Sequence, residues 1–317
     1  MPSGETLTRD CTVGVDVGGT TVKAVLVDAS GHALRTRRAA TPAPDPATGT
    51  GTDSVSDIVE TIATLVEQLT GEGSRQVIGV GVAVPGVVDE ERGLAVWSEN
   101  LRWRDVPLRD LVAQRTGSPV ALGHDVRVGG LAEVRLGAAR GARNAVFMPV
   151  GTGIAAALVL DGRIYRGGGF AGEIGHVSTG RADPCACGGR GCLETLASAA
   201  AIARRYAQRS GRPVSGAAEV LERVGRGDRD ATWVWEDALD LLAWAVTLLT
   251  GVVAPEVVVL GGGLAEAGER FLAPVRSRVE SRLTFQPRPR IVAAELGDLA
   301  GCLGAALHAK DRLEPAW

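Results

Sequence analysis

The chain has 317 residues, of which 45% are hydrophobic, and its 34 basic and 37 acidic residues leave a formal net charge of −3. A disordered chain is excluded because enough apolar residues are present to bury a core, and the charge balance gives no sign of nucleic-acid binding. The 43 glycines make up about 14% of the chain, roughly twice the average usage, but they show no Gly-X-Y period, which excludes collagen. They predict the turns and ligand loops of a globular protein.

The length of 317 residues predicts about two domains. The N-terminus and the hydrophobic segments indicate a cytoplasmic protein. Charged residues at Glu5, Arg9 and Asp10 leave no apolar run of the kind found in a secretory signal. We expect no contact with membranes, because the longest apolar segment, near 238–254, contains Asp240 and is short for a bilayer span.

Apolar, β-branched runs predict a first α/β domain. We expect strands at 12–17, 20–28 and near 32–39, a loop over 41–53, a helix that is capped by Asp53 or Ser54 and runs to about 69, and a buried strand at 77–84. The first two strands flank the pair Gly18-Gly19.

The second half of the chain repeats this order. Strands are predicted at 145–150 and 154–160 around Gly151-Thr152-Gly153, a third follows the hairpin turn at 161–162, and the strand at 257–260 runs through Gly261–Gly263 into a helix. The repeat predicts two similar α/β domains whose glycine-rich turns meet at one cleft.

The glycine-rich turns have the chemistry of phosphate sites. In D16-V-G-G-T-T-V-K23, backbone N–H groups at Gly18 and Gly19 and the hydroxyl of Thr20 can approach phosphate oxygens. The turns at Gly151–Gly153 and Gly261–Gly263 offer similar backbone. Neither a P-loop nor a Rossmann motif is present, and a single turn of this kind is more often only a turn.

A cluster of metal-binding residue types occupies 17 residues. His176, Cys185, Cys187 and Cys192 supply one imidazole and three thiolates, which suits a closed tetrahedral zinc site. Four protein ligands leave no open position, so the zinc is expected to be structural.

Three motifs together resemble the ROK family of bacterial sugar kinases and sugar-responsive repressors, within the hexokinase/actin-like superfamily. They are D16-x-G-G-T20, G172-E-I-G-H176 and C185-x-C-G-G-R-G-C192-L-E194, and the resemblance extends from Gly14 to about Ala309. It implies two ribonuclease-H-like α/β domains around a central cleft. We place the domains at 1–122, completed by a C-terminal helix at 299–314, and at 123–298.

The resemblance also implies how ATP is held and used. The first turn and the Gly151–Gly153 turn would hold the phosphates, Gly261, Gly262 and Gly263 would lie by the adenosine, and Mg²⁺ would bridge the phosphates. Asp16 and Lys23 are further ATP-site candidates. Asp125 matches the catalytic aspartate, which takes the proton of the attacking sugar hydroxyl. Considered alone, Asp125 would be interpreted as a helix N-cap.

Six residues match sugar contacts of the family: Asn100, His124, Asp125, Glu173, His176 and Glu194. Carboxylates accept paired hydrogen bonds from neighbouring hydroxyls, which explains the residue type. The zinc loop would hold His176 and Glu194 against the sugar. Without the resemblance, the two glutamates would be interpreted as surface carboxylates and Asn100 as a turn residue.

This chain departs from the family pattern at the catalytic position. The family usually has Asn-Asp followed by small residues, whereas here the sequence is His124-Asp125-Val126-Arg127. Alanines at 155–157 replace further glycines after the second turn, and Thr21 replaces a lysine. The histidine can still offer one donor and one acceptor.

The resemblance therefore predicts an ATP-dependent kinase for the 6-hydroxyl of glucose or a related hexose, with Mg²⁺ and a structural zinc ion. The family also suggests a homodimer or homotetramer. Alternatives are another sugar (N-acetylglucosamine, N-acetylmannosamine, allose or fructose), a catalytically silent sugar sensor, and a transcriptional repressor. Such a repressor carries a helix-turn-helix domain in front, and we expect none because the first strand is predicted at residue 12.

Overall fold

The computed structural model describes residues 10–42, 52–71 and 76–313. These residues form two compact units. The first contains the chain up to Ala132, together with Gly167–Gly169 and the segment from Asp298 onward. The second contains Glu133–Arg166 and Phe170–Gly297.

The first unit is built on a five-stranded sheet and a smaller three-stranded one. Its elements are β1 (Cys11–Val17), β2 (Thr21–Val27), β3 (Ala33–Ala40), α1 (Thr52–Thr70), β4 (Val77–Val84), β5 (Val87–Asp89), β6 (Leu94–Ser98), β7 (Trp103–Val106), α2 (Leu108–Thr116), β8 (Val120–His124) and α3 (Asp125–Arg135, whose last three residues belong to the second unit). The large sheet has the order β3-β2-β1-β4-β8, and the small one β5-β6-β7.

The second unit is built on another five-stranded sheet. Its elements are β9 (Ala145–Pro149), β10 (Ala157–Leu160), β11 (Arg163–Tyr165), α4 (Leu193–Ala197), α5 (Ala199–Ser210), α6 (Ala217–Gly225), α7 (Arg229–Val253), β12 (Val257–Gly261), α8 (Glu269–Arg282) and β13 (Arg290–Ala293). The sheet order is β11-β10-β9-β12-β13. The chain then returns to the first unit as α9 (Ala300–Leu313).

The two large sheets have the same design. In each, three strands that follow one another in the chain pair antiparallel. A later strand then pairs in parallel with the first of the three, and a second later strand pairs in parallel with that added strand. The parallel additions are β4 and β8 in the first unit and β12 and β13 in the second. This confirms the predicted α/β fold with two similar halves.

Helix α9 packs unusually close to the first sheet. A Cβ atom at Gly14 of β1 would lie 1.9 Å from the carbonyl oxygen of Cys302, and one at Gly81 of β4 would lie 1.9 Å from that of Ala305. Only glycine therefore allows this approach. On the second sheet, the core forms around the buried face of α7, which includes Trp235 and Leu242.

Several predicted bounds differ from the structure. Helix α1 begins at Thr52, so neither Asp53 nor Ser54 precedes it, and residues 43–51 of the predicted loop lie outside the described residues. Strand β10 begins at Ala157 rather than 154, because the N–H of Ala156 donates to the carbonyl of Gly172 at 2.7 Å instead of joining the sheet. Residue 314, the predicted end of the last helix, also lies outside the described residues.

The second glycine-rich strand end also differs from its prediction. Gly263–Ala267 forms a short 3₁₀ helix, and α8 begins only at Glu269. Within the residues that the structure describes, no helix is both long and apolar enough to cross a bilayer.

Candidate active site

The turn after β1 is held by hydrogen bonds on one side, while two of its residues are exposed to solvent. The N–H of Gly18 donates to the carbonyl of Thr21 at 3.0 Å, and the hydroxyl of Thr41 donates to the carbonyl of Gly18 at 2.7 Å. Gly19 and Thr20 are exposed. The turn thus presents accessible backbone and one hydroxyl, the groups that phosphate oxygens accept from.

A cavity of about 320 Å³ beside this turn brings Thr20 together with Asn100, which lies in the turn between β6 and β7. Its lining residues are Gly19, Thr20, Thr41, Pro42, Ser54, Ile58, Asn100 and Leu101. The sequence-based prediction placed Thr20 at ATP and Asn100 at the sugar, and the structure puts both on one wall of the first unit.

Asp16 and Lys23 face each other across β1 and β2. The ammonium group of Lys23 donates to the carbonyl of Asp298 at 3.1 Å and lies 3.6 Å from its carboxylate. Burial raises the pKa of Asp16 to about 6, although the positive charge of Lys23 opposes the rise. A Cβ atom at Gly301, in the first turn of α9, would lie 2.7 Å from the Asp16 carboxylate, so this glycine makes room for it. A cation near Asp16 would favour its charged form.

Asp125 is the first residue of α3, directly after β8. Its side chain is 32% exposed, and its carboxylate accepts from the N–H of Val126 at 2.7 Å. A carboxylate at the N-terminus of a helix is favoured by the helix dipole in its charged, proton-accepting form. The position therefore suits a base, and it also satisfies the helix start.

His124 is buried beside this carboxylate, with Nδ1 at 3.4 Å from an Asp125 oxygen. Burial and then the positive charge of Arg127 lower the pKa of His124 to about 3, so the ring is neutral at physiological pH. The same Nδ1 also lies 3.4 Å from the backbone nitrogen of Arg127. The imidazole thus adds no positive charge next to Asp125.

In the second unit, the turn Gly151–Gly153 is tied to Glu194. The N–H of Gly151 donates to the carbonyl of Gly153 at 3.0 Å, and the N–H of Ile154 donates to the Glu194 carboxylate at 2.9 Å. Glu194 lies in the first turn of α4. A residue predicted to contact the sugar therefore contacts a turn predicted to hold ATP.

The third glycine run lies beside the second. Gly261 ends β12, which runs parallel to β9, and its carbonyl accepts from the N–H of Val150 at 2.9 Å. The N–H of Leu264 donates to the carbonyl of Val150 at 3.1 Å. Both predicted nucleotide turns, which include Thr152, Gly262 and Gly263, thus stand at the carboxyl ends of neighbouring parallel strands, where α/β proteins commonly bind ligands.

The four predicted metal ligands converge. One ligand atom from each of His176, Cys185, Cys187 and Cys192 lies within 4.8 Å of the other three. The Cys187 and Cys192 sulfurs are 3.6 Å apart, and the Cys185 sulfur is 3.7 Å from Nδ1 of His176. Tetrahedral zinc with bonds of about 2.3 Å needs sulfur atoms about 3.8 Å apart, so the cluster fits the ion.

The loop around the cluster is a tight turn. The N–H of Cys185 donates to the carbonyl of Gly189 at 3.0 Å, and the N–H of Gly188 donates to the carbonyl of Cys185 at 3.0 Å. The N–H of Gly189, followed by the neighbouring thiols, lowers the pKa of Cys187 to about 7, whereas burial raises that of Cys192 to about 12. Glu173 directly precedes the 3₁₀ turn that contains His176.

Two supporting residues were missed by the sequence-based reasoning. Thr41, which braces the first turn, follows β3 and is one of many threonines without a distinguishing pattern. Gly301 lies in a run of small residues, A300-G-C-L-G-A-A306, which signals close helix packing but not its partner. Both depend on contacts between distant parts of the chain.

Comparisons with known proteins agree with this architecture. Residues 12–312 match the ROK family. A glucokinase of Thermotoga maritima is 36% identical over 323 residues, which cover 95% of this chain and 98% of the relative. A ROK hexokinase of Thermus thermophilus has a similar structure, with a TM-score of 0.85, 32% identity, and coverage of 96% of this chain and 99% of that one.

A ROK family glucokinase of Streptomyces griseus, solved in complex with glucose and AMPPNP, superposes with a TM-score of 0.80 at 30% identity. The alignment covers 95% of this chain and 99% of that one. The fold is therefore the two-domain, actin/hexokinase-like one that the motifs predicted, and the chain belongs to the ROK family.

Proposed function

We propose that this chain is an ATP-dependent hexose kinase that transfers the γ-phosphoryl group of ATP to the 6-hydroxyl of glucose or a closely related hexose. The observation that carries the proposal is the partly exposed Asp125 carboxylate at the N-terminus of α3, in a chain 36% identical to a glucokinase. The glucose and AMPPNP in the Streptomyces griseus structure give the substrate pair that we assign to this site.

In the proposed reaction, Asp125 accepts the proton of the sugar hydroxyl as that oxygen attacks the γ-phosphorus. Five further residues that match the family's sugar contacts are proposed to orient the sugar through hydrogen bonds: Asn100, His124, Glu173, His176 and Glu194. His124 contributes a neutral imidazole, so it adds no positive charge that would pair with the Asp125 carboxylate in place of the sugar hydroxyl.

We assign the phosphates of ATP to Gly18, Gly19, Thr20 and Gly151–Gly153, and the adenosine side to Gly261–Gly263. Phosphoryl transfer develops charge on oxygen that Mg²⁺ neutralises when bound with ATP. Asp16 would interact with that ion from β1, and Lys23 balances the negative charge of Asp16 and Asp298. A zinc ion on His176 and the three cysteines would stabilise the loop that presents Glu173 and Glu194.

The direct test is an ADP-release assay over a panel of sugars, with the product identified by ³¹P NMR. We expect glucose to give the highest kcat/KM and a 6-phosphate product. If N-acetylglucosamine, N-acetylmannosamine, allose or fructose is preferred, the reaction class stands and the sugar assignment is wrong. ATP consumption with none of the sugars would overturn the kinase proposal.

The same panel separates the other classes of function. A silent sugar sensor would bind glucose in calorimetry without releasing ADP, and a repressor would bind a specific DNA sequence. We favour catalysis because Asp125 is present and accessible. We further propose that the protein is cytoplasmic, binds no nucleic acid and forms a homodimer or homotetramer. Sedimentation analysis of the purified chain would check the oligomeric state.

A further inference from the structure

The guanidinium group of Arg127 is buried two residues after Asp125. Its side chain is only 2% exposed, and it extends from the first turn of α3. Nη1 donates to the carbonyl oxygen of Gly169 at 3.0 Å, and Nε donates to the Glu90 carboxylate at 3.2 Å. A charged side chain at this depth is uncommon and needs a physical reason.

Neutralising Glu90 is not a sufficient reason. The Glu90 side chain is 4% exposed, and its second oxygen lies 3.8 Å from Nε2 of His308 and 3.9 Å from a guanidinium nitrogen of Arg312. Other groups that can carry positive charge are therefore already close to this carboxylate.

Stability alone also fails to explain Arg127. Its Nη2 is buried and has no hydrogen-bond partner among the residues that the structure describes. A buried donor left in this state costs free energy of folding. Because Arg127 is present despite this loss of folding free energy, its presence is better explained by the hydrogen bond that its Nη1 donates to Gly169.

The group that Nη1 holds is a three-residue glycine turn, Gly167–Gly169. Gly169 has a φ of +95°, and a Cβ atom there would lie 3.1 Å from the carbonyl oxygen of Val88. The turn belongs to the first unit, whereas the residues on both of its sides belong to the second. Glu173, a proposed sugar contact, follows only four residues later in the chain.

We infer that Arg127 is a positioning residue for the proposed phosphoryl transfer, which links the helix start that carries Asp125 to the glycine turn that leads into the Glu173 segment. The inference rests on the proposed function and adds a residue to it. Arg127 touches neither sugar nor ATP in this account. It acts through the Gly169 carbonyl, and its positive charge also helps to keep the neighbouring His124 neutral.

The test compares Arg127→Met and Arg127→Lys with the control Arg312→Met. Methionine keeps the length of the side chain and removes both hydrogen bonds, whereas lysine keeps the charge but lacks the fork needed to reach Glu90 and Gly169 together. Arg312→Met removes a positive charge from the same Glu90 carboxylate without touching Gly169. Each protein is assayed for kcat, for the KM of glucose and ATP, and for Tm.

We expect Arg127→Met to raise the KM of glucose by about tenfold, with the KM of ATP within about twofold of the wild type. Arg127→Lys should keep most of the Tm and still raise the KM of glucose several-fold. Arg312→Met should leave both KM values within about twofold. If Arg127→Met does not fold, the lysine variant decides the question by the same ratio of KM values.

Two results would overturn the inference. One is an unchanged KM for glucose in both Arg127 variants, with only Tm or kcat reduced, because that is the behaviour of a purely structural residue. The other is an equal rise in both KM values. A wild-type protein inactive on every sugar would instead refute the proposed function itself, and this inference with it, before any variant is compared.

Discussion

The carboxylate of Glu194 accepts a hydrogen bond of 2.9 Å from the backbone N–H of Ile154, directly after the Gly151–Gly153 turn. The two residues are 40 positions apart in the chain, and Glu194 follows the proposed metal ligand Cys192 by two. The helix start next to the proposed zinc site is therefore connected to the turn proposed to hold ATP phosphates. We therefore expect a substitution in the turn to alter the position of Glu194, and a substitution at Glu194 to alter the turn.

Replacement of Gly153 tests this connection. A Cβ atom at position 153 would lie 2.5 Å from the Glu194 carboxylate, so Gly153→Ala must displace either the turn or the glutamate. We expect kcat/KM to fall by at least about tenfold for both ATP and glucose, measured by ADP release. The control is Gly251→Ala in α7, where an added methyl group meets nothing within 4 Å and activity should not change. Normal kinetics in Gly153→Ala would refute the proposed role of the turn.

Replacement of Asp125 tests the proposed base. Asp125→Asn keeps the shape of the side chain and its place at the start of α3, but the amide cannot take a proton. We expect kcat to fall by about 10²–10⁴, while the Kd of glucose in calorimetry and the zinc content change little. Asp110→Asn, an exposed carboxylate in the first turn of α2, is the matched control and should be fully active. An active Asp125→Asn variant would show that Asp125 is not the base of the proposed reaction.

Disruption of the cysteine cluster tests the zinc assignment. The wild type should contain stoichiometric zinc by atomic absorption, and Cys187→Ser or a strong chelator should remove it. Since the loop presents Glu173 and Glu194, we expect the KM of glucose to rise by about tenfold and that of ATP by less. Cys11→Ala, in β1 and outside the cluster, should keep its zinc. Equal losses of sugar and ATP affinity would contradict the assigned role of the loop.

The buried His124 predicts a pH effect on stability. Burial and Arg127 lower its pKa from 6.5 to about 3, so below pH 6.5 the unfolded chain binds a proton that the folded chain does not. The free energy of unfolding should therefore fall as the pH drops from 6.5 toward 3. Between pH 7.5 and 5 the loss amounts to about 2 kcal/mol.

His124→Asn removes this titration and restores the residue usual in the family. We expect urea unfolding to show that the free energy of unfolding of the variant, relative to that of the wild type, increases by about 2 kcal/mol when the pH is lowered from 7.5 to 5. His32→Asn removes an exposed imidazole and serves as the control. A difference between wild type and His124→Asn that is independent of pH would show that the imidazole titrates normally.

Patterns that are local in the chain were sufficient for much of the fold. The alternation of apolar runs with glycine turns predicted β1, β2, β4 and the turns at Gly18-Gly19 and Gly151–Gly153, because strand ends and turns are governed by neighbouring residues. The convergence of His176 and the three cysteines was equally predictable, since all four lie within 17 residues and share a chemistry that suits a metal ion. The small sheet β5-β6-β7 and helix α2 were not anticipated, since these elements are short and only partly periodic.

A predicted strand boundary was wrong where a residue distant in the chain formed a hydrogen bond with the backbone of the strand. Strand β10 starts three residues late because Gly172 takes the N–H of Ala156, and no pattern within 154–160 signals that competition. Likewise, the close approach of α9 to β1 and β4 explains glycines such as Gly14 and Gly81, which had no role when only their neighbours were considered.

By itself, the sequence determined the family and the two-fold repetition of α/β halves, and it supplied the candidate reactive groups, because each of these depends on residues that are close together in the chain. Only the tertiary structure decided which distant groups meet: Lys23 with Asp298, Glu194 with Ile154, and Arg127 with Gly169. The physical reason is that a hydrogen bond needs its atoms within about 3 Å, and the path of the intervening chain, rather than any local pattern, brings them there.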